Sequence, residues 1–188
     1  STGAKDLAGN SMLLPLTQRF RIAVSGSMNL YSTGSLDGQV SSAGAVNSTG
    51  TLMSAGDLSD DSTYRAFVSF DLAGLPATTV RIKSATLYVY QTGVTGAPYS
   101  SLGALTGSSV FYGALLDASA YATPVLQTMQ CTGLPQACGL ADETRVLSTT
   151  TLAGYKSAVV SLKVADDWAN RATRGSLSQF RISFSTAT

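Results

Sequence analysis

The chain has no histidine, and that absence removes more chemistry than any motif in it adds. Ser–His and Cys–His nucleophile pairs cannot be assembled. General acid–base work would fall to carboxylates, and a glycosidase needs two of them flanking one bond. The acids in question are Asp57, Asp60, Asp61, Asp71, Asp117, Asp142, Glu143, Asp166 and Asp167. Most fall where turns or strand ends are expected, and neighbours such as Asp166 and Asp167 read as a helix cap beside its follower. The expectation is a non-enzyme. Charge is scarce as well: 12% of residues are charged and the net charge is +1. Arg19 with Arg21, and Arg171 with Arg174, are pairs and not patches, so the basic footprint of a nucleic-acid binder is lacking. No apolar run approaches the roughly 20 residues of a membrane helix.

Cysteine is limited to Cys131 and Cys138, separated by Thr-Gly-Leu-Pro-Gln-Ala. Zinc sites use more closely spaced cysteines with a second pair or histidines, so zinc is excluded. Gly133 and Pro135 suit a turn that returns the chain on itself. The spacing predicts a disulfide, with two reduced thiols as the alternative, and closing so short a loop contributes about 2–3 kcal/mol. A disulfide points to an oxidising compartment. A start at Ser1 without methionine fits a leader already removed, so the expectation is a secreted, extracellular protein.

What the chain does have is hydrophobic content of 44%, with Ser, Thr, Gly and Ala supplying an uncharged polar surface. Disordered chains combine low hydrophobicity with high charge, so a folded domain is expected over residues 25–188, with 1–24 as an extension or first strand. The dominant period is two, the pattern of half-buried strands. Tyr64, Ala66, Val68, Phe70 and Leu72 fall on one face, and Phe67 alone breaks the rule. Leu87 and Val89 alternate with Tyr88 and Tyr90. Ala158, Val160, Leu162 and Val164 form another series, as do Phe180, Ile182 and Phe184, and, near the front, Phe20, Ile22 and Val24. Asp117 is placed to cap a turn through Tyr121, and Asp166 one running through Trp168. Gly93 to Gly107 reads as a loop. The prediction is all-β: a two-sheet, jelly-roll-like sandwich with at most short helical turns.

One stretch carries a signature. An aspartate-rich turn at Asp57, Asp60 and Asp61 leads into an Arg-bearing strand ending Phe70-Asp71-Leu72, a Leu75-Pro76 connection and a strand beginning Ser84-Ala85-Thr86-Leu87. With Asp37-Gly38 upstream and Gln179-Phe-Arg-Ile-Ser-Phe184 downstream, the chain resembles the DNRLRE-domain family over most of its length. The resemblance implies a jelly-roll-like sandwich of microbial surface proteins, also classed among carbohydrate-binding modules, with no catalytic apparatus. Similar proteins continue past this last strand into a closing strand, whereas this chain stops at Thr188. A missing closing strand would leave a slot exposing unpaired backbone and apolar surface. The segment Met12–Val24, apolar in Leu13, Leu14, Leu16, Phe20, Ile22 and Val24, is the candidate filler. It can serve as a first strand of its own domain or be donated to a neighbour, and head-to-tail donation builds a filament.

Two further candidate sites complete the reading. Asp57, Asp60 and Asp61 form a calcium candidate, since calcium takes carboxylate and carbonyl oxygens from loops. Asp71 or Asp37 is available in sequence to complete it. Tyr88 and Tyr90 form a candidate carbohydrate platform; Tyr99, Tyr112 and Tyr121 are possible groove-lining residues, and Trp168 is expected in the core. The expected function is a structural or adhesive subunit of a cell-surface or filament assembly. Its partners would be copies of itself or other surface proteins, with polymerisation by strand donation. The alternative is a carbohydrate-binding module recognising a polysaccharide.

Overall fold

The computed structural model describes residues 26–57, 62–132 and 137–186. Its strands are β1 (Gly38–Ser41), β2 (Val46–Asn47), β3 (Gly56–Asp57), β4 (Thr63–Asp71), β5 (Thr86–Gln91), β6 (Leu105–Val110), β7 (Gln127–Thr132), β8 (Ala137–Asp142), β9 (Thr144–Ser148), β10 (Gly154–Val159) and β11 (Leu177–Phe184). Two short α-helices, α1 (Pro98–Ser101) and α2 (Ser161–Ala169), interrupt them. The main sheet runs β2-β1-β4-β11-β6-β9, with β3 added to β4. A second sheet contains β10 and β5, and β7 and β8 pair as a hairpin. Every ladder is antiparallel. The fold is an all-β sandwich, as the alternation predicts.

The period-two pattern becomes a two-faced sheet. Ala66, Val68, Phe180, Ile182 and Phe184 meet Leu87 and Ala158 of the second sheet, with Val160 just beyond it, in the larger core. Phe67, the exception in the alternation, points to the opposite face and is fully buried. It forms a smaller core there with Val40, Val110, Leu116 and Ala120, and its ring meets Tyr112 edge-on at 5.4 Å. The cover over this face is the connection between β6 and β7. Arg65 Nη1 donates to the Tyr121 carbonyl at 2.6 Å, Arg181 Nη1 to that of Thr123 at 2.9 Å, and the Arg65 guanidinium lies 4.1 Å from the centre of the Tyr121 ring. Gln179, buried in the main sheet, accepts from the backbone N–H groups of Tyr112 and Gly113 and donates to Gly113 O and Ser69 Oγ. Asp117 caps the 3-10 turn Ala118–Ala122 as expected, its Oδ1 accepting from Ser119 N at 2.8 Å.

Two expectations are corrected. The strand read through Leu162 and Val164 ends at Val159, and a helix follows. Val160, Val164 and Trp168 recur every four residues, as do Lys163 and Asp167, and this spacing stacks each set on one helical face. Asp166 is therefore inside the helix and not its cap; its carboxylate accepts from Asn170 Nδ2 and Arg174 Nη1. The loop assigned to Gly93–Gly107 also ends early, at Leu105, where β6 begins. That strand, Leu-Thr-Gly-Ser-Ser-Val, is buried at all six positions and so lacks the alternation that marks a half-exposed strand.

Helix α2 holds a buried ion cluster. Lys163 pairs with Asp167, and both are sealed from solvent. Arg174 Nη1 reaches Asp167 Oδ1 at 2.5 Å and Asp166 Oδ2 at 2.6 Å, and Ser178 Oγ donates to Asp167 Oδ2 at 2.6 Å. Burial draws the Lys163 ammonium below the ordinary lysine range despite its partner. Removing one member of a buried pair strands the other charge. Asp167→Ala is therefore expected to cost about 3–5 kcal/mol in urea unfolding, and Lys163→Met combined with Asp167→Leu to recover most of that loss. A single-variant cost below about 1 kcal/mol, the level of a surface pair, would remove the cluster from the stability argument. Phe67→Ala, which empties the smaller core, is expected to cost about 3–5 kcal/mol in the same measurement.

Candidate functional site

The second layer of the sandwich is narrower than the first. Strand β10 lies beside β9, and Leu87 of β5 packs over Gly107 of β6, its Cδ2 being 3.3 Å from where a glycine Cβ would stand. The two strands thus roof β9 and β6. The inner faces of β4 and β11 share the larger core with Leu87 and Ala158 of these strands. Over them is a groove of about 1080 Å³, floored by Tyr64, Ala66, Val68, Phe70, Ile182 and Phe184. From Tyr64 to Phe70 the floor runs six residue steps, roughly 20 Å at the rise of a strand. That is the length of an extended segment, and the volume exceeds the usual small-molecule pocket.

One wall of the groove is β5 itself. Its six residues pair with β10 from Thr86 opposite Val159 to Gln91 opposite Gly154, and its other edge has no strand partner among the described residues. Both inward Val89 and outward Tyr88 and Tyr90 line the groove, which is the geometry of an open sheet edge. Such an edge presents unpaired N–H and C=O groups to any extended chain laid beside it.

The ends are built differently. At the lower end Gln91 accepts from Tyr99 OH at 2.6 Å and donates to Leu152 O at 3.1 Å, and the Tyr99 ring packs against Phe184 at 5.2 Å. At the upper end Ser32 bridges to Phe70, and the chain reaches it through Asn29, Leu30 and Tyr31, which line the mouth. Gly26 to Asn29 are exposed, and Tyr31 is 85% exposed. Asn29 to Ser32 thus stand at the mouth of the groove.

Tyr88 and Tyr90 lie on the outer face of β5 and are 63% and 59% exposed. Tyr155 joins them, directly opposite Tyr90 on β10, with the two rings edge-on at 5.0 Å. The sequence reading overlooked Tyr155, although extending the Ala158–Val160 alternation back by three residues places it outward. Of the other aromatics, Tyr99 lines the groove, Tyr112 and Tyr121 belong to the core on the opposite face, and Trp168 is buried beneath the Arg171 guanidinium at 4.2 Å.

Of the acidic candidates, Asp37 and Asp71 lie far from Asp57. Asp60, Asp61 and the apolar residues Leu13, Leu14, Leu16, Phe20, Ile22 and Val24 lie outside the described residues. Asp57 stands beside the first residue of β4, accepting from Thr63 Oγ1 at 3.1 Å. Asp71 is at the far end of that strand, capping the turn that follows through Ala73 N. Asp37 is held near the same far end by Ser69 N at 2.9 Å, and burial raises its pKa above the usual carboxylate range. Six or more strand residues, about 20 Å, separate Asp57 from both, so neither completes its site. Among the described residues no three His, Cys, Asp or Glu side chains come together as a metal site. Cys131 and Cys138 are backbone partners across the β7–β8 ladder.

Compared with family models, with curated proteins and with solved structures, the chain finds no match.

Proposed function

We propose that this protein is a non-catalytic structural subunit of an extracellular surface assembly, and that its groove takes up the N-terminal segment of a neighbouring copy. The observation that carries the reading is the unpaired β5 edge standing over the apolar floor of β4 and β11. A free sheet edge beside an apolar groove is a receptor for one more strand, with backbone hydrogen bonds for affinity and alternate side chains for fit. The segment Met12–Val24 supplies that strand. Its even positions, Met12, Leu14, Leu16, Phe20, Ile22 and Val24, are apolar apart from Gln18. Gly26–Asn29, which join the segment to the described fold in sequence, are exposed, as a connection to a neighbour would require. The contact is head-to-tail and does not close on itself, so repetition gives a filament. The resemblance to DNRLRE-domain surface modules supports an extracellular setting. So does the register of Cys131 opposite Cys138, which is that of a cross-strand disulfide.

The mass distribution of the purified full-length chain tests this directly. Concentration-dependent assemblies are expected, and Ile22→Asp is expected to weaken them at least a hundredfold, since it loses an apolar side chain's burial of about 1.5–3 kcal/mol and adds a charge. A monomeric full-length chain with the segment docked in its own groove would overturn the filament reading. For the disulfide, non-reducing digestion is expected to leave the peptides bearing Cys131 and Cys138 joined. Replacing both with serine should lower stability by about 2–3 kcal/mol.

The exposed trio Tyr88, Tyr90 and Tyr155 favours a second reading, a carbohydrate-binding module. A polysaccharide that retards the protein in affinity electrophoresis, and no longer does so after Tyr88→Ser and Tyr90→Ser, would establish it.

A further inference from the structure

One motif in the chain serves neither the groove nor the core. Of Asn10, Asn29, Asn47 and Asn170, only Asn47 is followed two residues on by Ser or Thr, in Asn47-Ser48-Thr49. That order is the acceptor pattern for N-linked sugars. In a chain rich in Ser and Thr the pattern alone decides little, and the local structure is what gives it content. Asn47 ends β2, the terminal strand of the main sheet, where it stands opposite Gln39 of β1. The chain then leaves the sheet, and Asn47 and residues 49–54 are exposed. The Asn47 side chain is held in one orientation. Its Oδ1 accepts from the backbone N–H groups of Thr49 at 3.2 Å and Gly50 at 3.0 Å, forming an Asx turn. Two donors converge on that atom, as only the oxygen of a carboxamide allows, so Nδ2 is the other end. Among the described residues neither Nδ2 nor the Thr49 hydroxyl is hydrogen-bonded. A Cβ on residue 50 would stand 3.1 Å from Nδ2, so the glycine there keeps the nitrogen clear.

We infer that Asn47 is a glycosylation site and carries an oligosaccharide on Nδ2. The turn alone does not account for these residues. Aspartate would accept the same two bonds, and Thr49 contributes only its N–H to them, so the turn needs neither a free carboxamide nitrogen nor a free hydroxyl. Sugar transfer needs both. The co-substrate is an oligosaccharide activated as a lipid-linked pyrophosphate. Nδ2 bonds to its anomeric carbon, the bond from that carbon to the pyrophosphate oxygen breaks, and the lipid pyrophosphate leaves with the electron pair. One amide proton passes to a base of the transferase, and nothing is oxidised or reduced. The product is still an amide, so Oδ1 keeps both of its hydrogen bonds and the turn survives. Among the described residues β2 has no strand partner besides β1. An oligosaccharide at its end covers an edge whose backbone groups would otherwise invite another strand.

This inference rests on the extracellular setting proposed above and not on strand donation. The test uses full-length protein isolated from the cells that make it, with Asn47→Asp, Thr49→Ala and Thr49→Ser produced in the same cells. Intact mass is measured for each, together with fragmentation of the peptide spanning Asn47. Asn47→Asp keeps an acceptor for both backbone N–H groups but has no nitrogen to glycosylate, so it separates the modification from the turn. The wild type is expected to exceed its sequence mass by an oligosaccharide, with the fragments placing the sugar on Asn47. That excess should vanish in Asn47→Asp and in Thr49→Ala, and persist at lower occupancy in Thr49→Ser. Protein found outside the cell with an unmodified Asn47 would overturn the inference and leave the extracellular setting in place. An excess mass that survives Asn47→Asp would overturn it too, since the sugar would then be on a hydroxyl. Unmodified protein found only inside the cell would remove both the inference and the setting it rests on.

Discussion

The pairing of β4 with β11 is the constraint on which the other parts of the molecule depend. Their ladder runs from Asp71 opposite Leu177 to Ala66 opposite Ile182 at the middle of the main sheet, and both faces of it carry apolar side chains. A sheet buried on two faces needs two covers. The β6–β7 connection supplies one, clamped by Arg65, Arg181 and Gln179. The narrow β10–β5 layer supplies only part of the other. The groove is therefore a consequence of an uneven match: the main sheet is broader than the layer packed on it.

How much of this the sequence disclosed depended on which faces were half-exposed. Strands β4, β5 and β11 were legible because one side of each meets solvent or a polar cover and the other meets the core. Phe67 broke that pattern because its face acquires a core of its own, from residues far along the chain that no local window reports. Strand β6 was invisible for the opposite reason. Buried on both faces between β11 and β9, it satisfies two of its three hydroxyls within the sheet, with Thr106 donating to Ser183 O and Ser108 bonded to Thr144. Its Ser and Thr residues thus read as a loop. Helix α2 was mistaken for strand because Val160 and Val164 fit both periods; Trp168 and the Lys163–Asp167 spacing were the deciding signs. For the candidate site, the outward tyrosines were legible, but the groove depends on how two sheets overlap. The separation of Asp57 from Asp37 and Asp71 likewise required knowing the direction of β4.

Scarcity of charge gives the interior its character. Where cations are buried, they are held by carbonyls and rings as often as by carboxylates. Arg65 and Arg181 lie near each other on the face opposite the groove, and neither forms an ion pair among the described residues. Burial, with the like charge of Arg65, pulls Arg181 down to about 10. Their hydrogen bonds to Tyr121 and Thr123 fix a loop in place, which a salt bridge to a distant acid would not do. Glu143 shows the complementary arrangement: buried, it accepts from Thr128 Oγ1 and Gln130 Nε2 and pairs with Arg145 at 2.7 Å.

The strict alternation of β5, apolar toward the sandwich and tyrosine toward solvent, also limits how a strand can be seated on it. Sliding such a strand by one residue exchanges its faces. Movement by two residues restores the match, so permitted positions are quantised in steps of about 7 Å. Any ordered array joined through this edge inherits that ruler, and its subunit spacing changes in discrete jumps or not at all.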